Sequence, residues 1–418
     1  MDRNLPIYSA TVARLLFFGG RYFSLLLVAR LLGENAAGFL LSVTIVEVLR
    51  VVFDYGLENS ILARSHQKSD ATGPQFARGM IGMRLVATLA GQLLASALIA
   101  VLCWRSDVTL AVPLVASLQF SCLMLFGYLQ ALLQTGRPGG MSALVLPLVF
   151  AILIQALLLW FSYQEYIPLQ LSVICFELMA VLACFAAVRN YVREPVAAGV
   201  AAPVASRLDW AEARMVLVQV APLGNIALIG IAYNRLDAFA VSLFASGTLL
   251  VQYLIYQRVA SAPLMFFSTV ASASISALST TSQDPASKPV RIVRYRQLAY
   301  GVALISGCIL AASSPLIARF FSLSATDRPM LVAQSLILAL QIANGFHASM
   351  LIAHGKVATL WLIAKRNAFV ALVAFPLCLW AWDGLGIAVA LCLVEAYCAG
   401  QYLREFHHRG APPEKKYA

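Results

Sequence analysis

The sequence predicts an all-α polytopic membrane protein of about twelve transmembrane helices, in two pseudo-symmetric six-helix bundles around a central cavity. Three observations predict it. Of the 418 residues, 61% are hydrophobic and 12% charged, and mean hydropathy is +0.81; soluble domains run near about 45–50% and about 25%. Apolar runs of roughly 20 residues, enough to span the hydrocarbon, recur along the whole chain. The basic residues between those runs fall mostly on one side. This composition excludes a soluble enzyme, a disordered tail and a nucleic-acid-binding domain, despite a net charge of +11 from 30 Lys+Arg against 19 Asp+Glu.

Gly, Pro and charge punctuation divides the apolar runs into spans. The first lies near residues 8–30. Residues 1–14 lack the basic start and cleavage site of a signal peptide, so this helix is expected to stay. Five more follow, near 37–61, 79–104, 109–134, 141–161 and 167–189. Residues 190–214 are rich in Ala, Pro and Val and read as a linker. The expected organisation is thus a bundle over 1–192, a cytoplasmic linker over 193–214, a second bundle over 215–406 and a tail over 407–418. The second bundle's spans lie near 215–244, 247–272, 297–321, 329–353, 357–381 and 385–404, with a polar loop over 273–296.

With the N-terminus cytoplasmic, the inner segments hold 18 of the 30 basic residues and the outer ones four: Arg30, Arg105, Arg319 and Arg328. The positive-inside rule then places both termini in the cytoplasm. The tail residues His407 and His408 belong to that basic end. The halves also resemble each other. Gly136-Arg137 and Gly355-Lys356 make matching short turns, and Arg50 and Arg258 lie 208 residues apart. Six spans per half give both repeats the same orientation.

Eight cations remain inside apolar spans: Arg14, Arg21, Arg50, Arg84, Arg235, Arg258, Lys365 and Arg366. Six acids join them: Glu47, Asp54, Glu58, Glu177, Asp237 and Glu395. At roughly 2.5–3.5 kcal/mol for each central charge, lipid exposure of all fourteen would cost on the order of 40 kcal/mol. They are therefore expected to face one another or a watery cavity. Glu47, Arg50 and Asp54 form one stripe on the second span. Arg235 and Asp237 point to different sides. The excess of cations predicts a cationic lumen suited to an anion, because the guanidinium fork holds phosphate in bidentate fashion. Gln119, Gln130, Gln341, Asn344 and His347 either line that lumen or bond across helices.

Other chemistry is not expected. The eight cysteines lack metal-ligand or disulfide-framework spacing. No P-loop is present. The outer loops are too short for the catalytic carboxylates of a membrane glycosyltransferase or polymerase, so no enzyme, metal or cofactor is expected beyond H+ or Na+ coupling.

Several segments resemble one family. Residues 28–39, VARLLGENAAGF, are similar to the A-R-x-L-G-x-x-x-x-G turn of polysaccharide exporters. Asp54-Tyr55-Gly56-Leu57-Glu58 resembles their D-x-G-L helix end, and Asn234-Arg235-Leu236-Asp237 their N-R-x-D segment. Tyr253 and Arg258 match the Y-x-x-x-x-R pattern of the eighth helix. The resemblance is to the polysaccharide transporter (O-antigen flippase, Wzx-type) branch of the multidrug/oligosaccharidyl-lipid/polysaccharide exporter superfamily. It implies translocation of an undecaprenyl-diphosphate-linked oligosaccharide across the bacterial inner membrane by alternating access. A polysaccharide polymerase and a chain-length regulator are the implied partners. Arg21, Arg50, Arg235 and Arg258 would hold the diphosphate and sugar hydroxyls. Glu47, Asp54, Glu177, Asp237 and Glu395 are the candidate coupling carboxylates. The alternatives are a drug/cation antiporter of the same superfamily, which needs an acidic aromatic cavity, and a non-transporting scaffold of a polysaccharide-assembly complex.

Overall fold

A computed structural model describes residues 5–33, 36–58, 81–105, 111–136, 141–193, 288–321, 328–353 and 356–407, with scattered positions from 218 to 267. Among the described residues the regular structure is helical throughout. In lipid every backbone N–H and C=O must be satisfied within the protein, and a helix does this inside one segment. The chain divides into two compact units, Met1–Leu228 and Ile229–Ala418. Residues 194–217, most of the expected linker, lie outside the described residues.

The first unit holds α1 (Leu5–Leu32), α2 (Ala36–Asp54), α3 (Ile81–Arg105), α4 (Ala111–Ser117), α5 (Gln119–Gly136), α6 (Ser142–Tyr163), α7 (Leu169–Val173) and α8 (Cys175–Arg193). Helix α1 packs on α6, α2 packs on α3, α4 and α5, and α8 lies against α5 and α6. Phe17 anchors the core, stacked on Phe126 at 3.6 Å between centroids and near Phe176 at 5.7 Å. The outer surface is apolar: Leu93 is 73% exposed and Trp104 82%. Such a surface requires lipid as its solvent. Trp160, Tyr163 and Tyr166 stand exposed at the end of α6, where an aromatic belt meets the membrane interface.

Two expected spans are broken helices. The span near 109–134 is α4 and α5, interrupted at Leu118, and the span near 167–189 is α7 and α8, interrupted at Ile174. A glutamine from a neighbouring helix satisfies the backbone at each break. Gln155 of α6 donates to the Ser172 carbonyl at 2.6 Å and accepts from the Phe176 N–H at 3.1 Å. Gln92 of α3 accepts from the Ser121 N–H and hydroxyl and donates to the Ser117 hydroxyl. Gln119 joins the two breaks by donating to the Val173 carbonyl at 3.2 Å. The expected span over 37–61 instead ends at Asp54, where Tyr55 and Gly56 take positive φ (44° and 77°) and turn the chain.

The second unit holds α9 (Lys288–Phe320), α10 (Arg328–Ala353) and α11 (Val357–His407), with helical residues at 252–261 as well. Helix α9 begins within the expected loop over 273–296, so Arg291 and Arg294 are helical. Helix α10 packs between α9 and α11. Helical assignment in α11 runs unbroken for 51 residues across the expected turn near 382–384. The chain nonetheless doubles back there. Asn367 donates to the Cys398 sulfur at 2.7 Å, although 31 helical residues would rise about 46 Å along a straight axis. Gly386 lies against the Cys378 carbonyl so closely that a Cβ would overlap it. Glycine there is what lets the two arms meet.

Candidate functional site

The first unit contains two ion clusters, both seeded by the polar stripe on α2. The three stripe residues do not pair with one another; each reaches to a different partner. Glu47 accepts from Arg21 Nη1 of α1 at 3.0 Å, and Glu177 of α8 lies 3.5 Å from Arg21 Nε. Arg21 and Glu177 are 2% and 1% exposed. Nε and Nη2 of Arg21 and both Glu177 carboxylate oxygens make no hydrogen bond among the described residues. One guanidinium thus sits between two carboxylates with donors to spare.

The second cluster lies one to two turns further along α2. Arg84 of α3 donates to Asp54 at 2.5 Å, to Glu58 at 2.7 Å and to the Met124 carbonyl at 2.8 and 3.1 Å. Arg50 reaches the other Glu58 oxygen at 3.2 Å. Arg14, half-buried on α1, lies within electrostatic range of Glu58. Glu58 is therefore the hub of the cluster, a role that the sequence reading missed. The turn at Tyr55-Gly56 aims it back at α3. Gly127 of α5 makes room for it, because a Cβ there would overlap the Glu58 carboxylate. Tyr55 donates to Asn225 at 2.6 Å.

The second unit places its carboxylates among neutral donors. Asp237, 2% exposed, accepts from the Tyr253 hydroxyl, from Gln257 at 2.8 Å and from the Ala238 N–H at 2.7 Å. Tyr253 and Arg258, which sequence joined in one pattern, are both fully buried. Arg235 is half-buried, near enough to Asp237 to feel its charge. Glu395 accepts from Gln341 at 3.2 Å and Asn344 at 2.7 Å. His347 bonds the Tyr300 hydroxyl at 3.0 Å and stacks on Tyr402, a packing arrangement across three helices.

The structure does not bring Lys365 and Arg366 to these groups. Both are exposed on α11, beside Leu362, Phe369 and Leu372. Their position changes the meaning of the charge excess. The first unit balances Arg14, Arg21, Arg50 and Arg84 with Glu47, Asp54, Glu58 and Glu177. In the second unit Arg235 and Arg258 are matched in number by Asp237 and Glu395. In number, the surplus read from the sequence is the exposed Lys365–Arg366 pair.

No protein-family profile matches the sequence, and no curated relative does. Solved structures do match over nearly the full chain. One is a lipid II flippase, MurJ, in an inward closed conformation: TM-score 0.70, 14% identity, covering 95% of this chain and 87% of that one. Another is the eukaryotic MATE transporter AtDTX14: TM-score 0.69, 13% identity, covering 97% and 94%. A third is an outward-facing multidrug resistance MATE family transporter of the MOP superfamily: TM-score 0.68, 13% identity, covering 98% and 96%. The chain has the polytopic fold of MOP-superfamily transporters.

Proposed function

We propose that this chain is a flippase carrying an undecaprenyl-diphosphate-linked oligosaccharide, an O-antigen or exopolysaccharide repeat unit, from the cytoplasmic to the periplasmic leaflet of the bacterial inner membrane. Both termini are cytoplasmic in this reading, and a polymerase and chain-length regulator act on the product. The observation that carries it is Arg21: a buried guanidinium whose Nε and Nη2 make no hydrogen bond among the described residues. Unused donors on a buried charge are costly, and a diphosphate oxygen supplies the missing acceptors.

The flanking carboxylates give the coupling. Glu47 and Glu177 hold two negative charges against one positive. A proton or Na+ taken up here balances the cluster and loosens the hold on Arg21, freeing the fork for the cargo. Release of that ion restores the pairing and expels the diphosphate. Arg50, Arg235 and Arg258 provide further contacts to phosphate and sugar hydroxyls, with Asp54, Asp237 and Glu395 as additional coupling carboxylates.

Arg21→Lys and Arg258→Lys test this, because each keeps its charge and loses the bidentate fork. In a strain that depends on this chain for surface glycan, both variants should reach normal abundance and lose most of the glycan. Wild-type glycan from both variants would sink the diphosphate role. A drug/cation antiporter is favoured by one feature only, the Asp237 and Glu395 carboxylates among neutral donors. It predicts ethidium efflux that D237N abolishes.

A further inference from the structure

The excess cations in the membrane-spanning segments sit on an exposed, otherwise apolar face of α11, which points to a different ligand from the buried clusters. Lys365 and Arg366 are exposed and form no ion pair among the described residues. Lys365 places its ammonium 5.1 Å from the Trp361 ring centroid. The same face exposes Leu362 (43%), Phe369 (71%) and Leu372 (62%), so two adjacent cations stand within an apolar surface.

Their depth places them within reach of a headgroup. The span Val357–Trp382 has 26 residues, about 39 Å at about 1.5 Å per residue, against about 30 Å of hydrocarbon. Centred, it overhangs by about 4–5 Å at each end. Lys365 lies eight residues from the start, about 12 Å along the axis, and hence about 7–8 Å below the hydrocarbon boundary. A lysine or arginine stem covers most of that distance by snorkelling. Trp361, one turn nearer the start, has the position of an interfacial aromatic.

We infer that Lys365 and Arg366 form a binding site for an anionic phospholipid of the leaflet at which α11 begins. The two cations hold its phosphate, and Leu362, Phe369 and Leu372 pack along its acyl chains. Charge decides between lipids: a pair carrying +2 with no carboxylate favours a net-negative headgroup over a zwitterionic one. The site is independent of the cargo proposed above.

Native mass spectrometry of the full chain from nanodiscs of equimolar phosphatidylglycerol and phosphatidylcholine tests it. Wild type should retain phosphatidylglycerol preferentially. Each cation strengthens such binding about fivefold, so Lys365→Gln/Arg366→Gln should weaken it about 30-fold. The single variants, each losing about fivefold, carry the test if the pair fails to fold, and Lys365→Arg should retain the lipid. Undiminished retention in the charge-removing variants, or equal retention of phosphatidylcholine by wild type, would overturn the site. Displacement by undecaprenyl diphosphate at equal mole fraction would overturn its assignment to a bilayer lipid.

Discussion

Replacement of Arg84 by Met should destabilise the first unit more than any surface change. The side chain is 1% exposed and bonds two carboxylates and one backbone carbonyl. Met keeps much of the volume and removes every donor. Asp54 then loses its ion-pair partner, while Glu58 retains Arg50 at 3.2 Å. Breaking a buried pair from one side costs roughly 3–5 kcal/mol, mostly from the stranded charge. For a unit of 228 residues, at about 2–4 °C per kcal/mol, the thermal transition should fall by about 10 °C. Removing the stranded charge as well, in R84M/D54N, should recover part of that loss. Thermal unfolding of purified protein, followed by tryptophan fluorescence, reads both. A single variant within about 2 °C of wild type, or a double variant less stable than the single, would refute the reasoning.

The remaining expectations touch separate parts of the molecule. Gly127→Ala intrudes on the Glu58 carboxylate and should lower the transition by several degrees, while Glu58→Gln alone should disturb the cluster without the steric insult; the two are compared by the same melt. Gln155→Leu strands the Ser172 carbonyl and the Phe176 N–H, costing about 1–3 kcal/mol for each buried unpaired group; a melting temperature equal to wild type would contradict that role. Gly386→Val should block the close approach to Cys378 and abolish accumulation of the intact chain, read by immunoblot of membranes. Charge reversal at Arg291, on the polar start of α9, should leave glycan export close to wild type in the complementation assay.

Composition alone made the fold class legible, because a chain this apolar has few alternatives in lipid. Some span positions followed from the same signal: α1, α3, α6 and α10 lie close to the expected limits, while the spans expected over 215–244 and 247–272 fall largely outside the described residues. Hydropathy is blind to what happens inside a span. The breaks at Leu118 and Ile174 occur in apolar sequence, and only the glutamines facing them hint at a need. The reversal in α11 falls at the gap between the expected spans 357–381 and 385–404, although helical assignment continues through it. For the site, the requirement that buried charges meet was readable; the pairings were not. Glu47, Arg50 and Asp54 share a face at helical spacing, yet their partners come from α1, α3 and the turn after α2. The charge surplus was countable, but its location depended on which way Lys365 and Arg366 face, and a two-residue doublet leaves that open.

Translocation of undecaprenyl-diphosphate oligosaccharide in proteoliposomes, wild type against Arg21→Lys, tests the proposed function most directly. The account predicts robust movement of the lipid-linked sugar by wild type. It predicts near-background movement by a folded R21K protein of equal thermal stability. Equal rates from both proteins, or no movement of the lipid-linked sugar by wild type beside efflux of an organic cation, would contradict it.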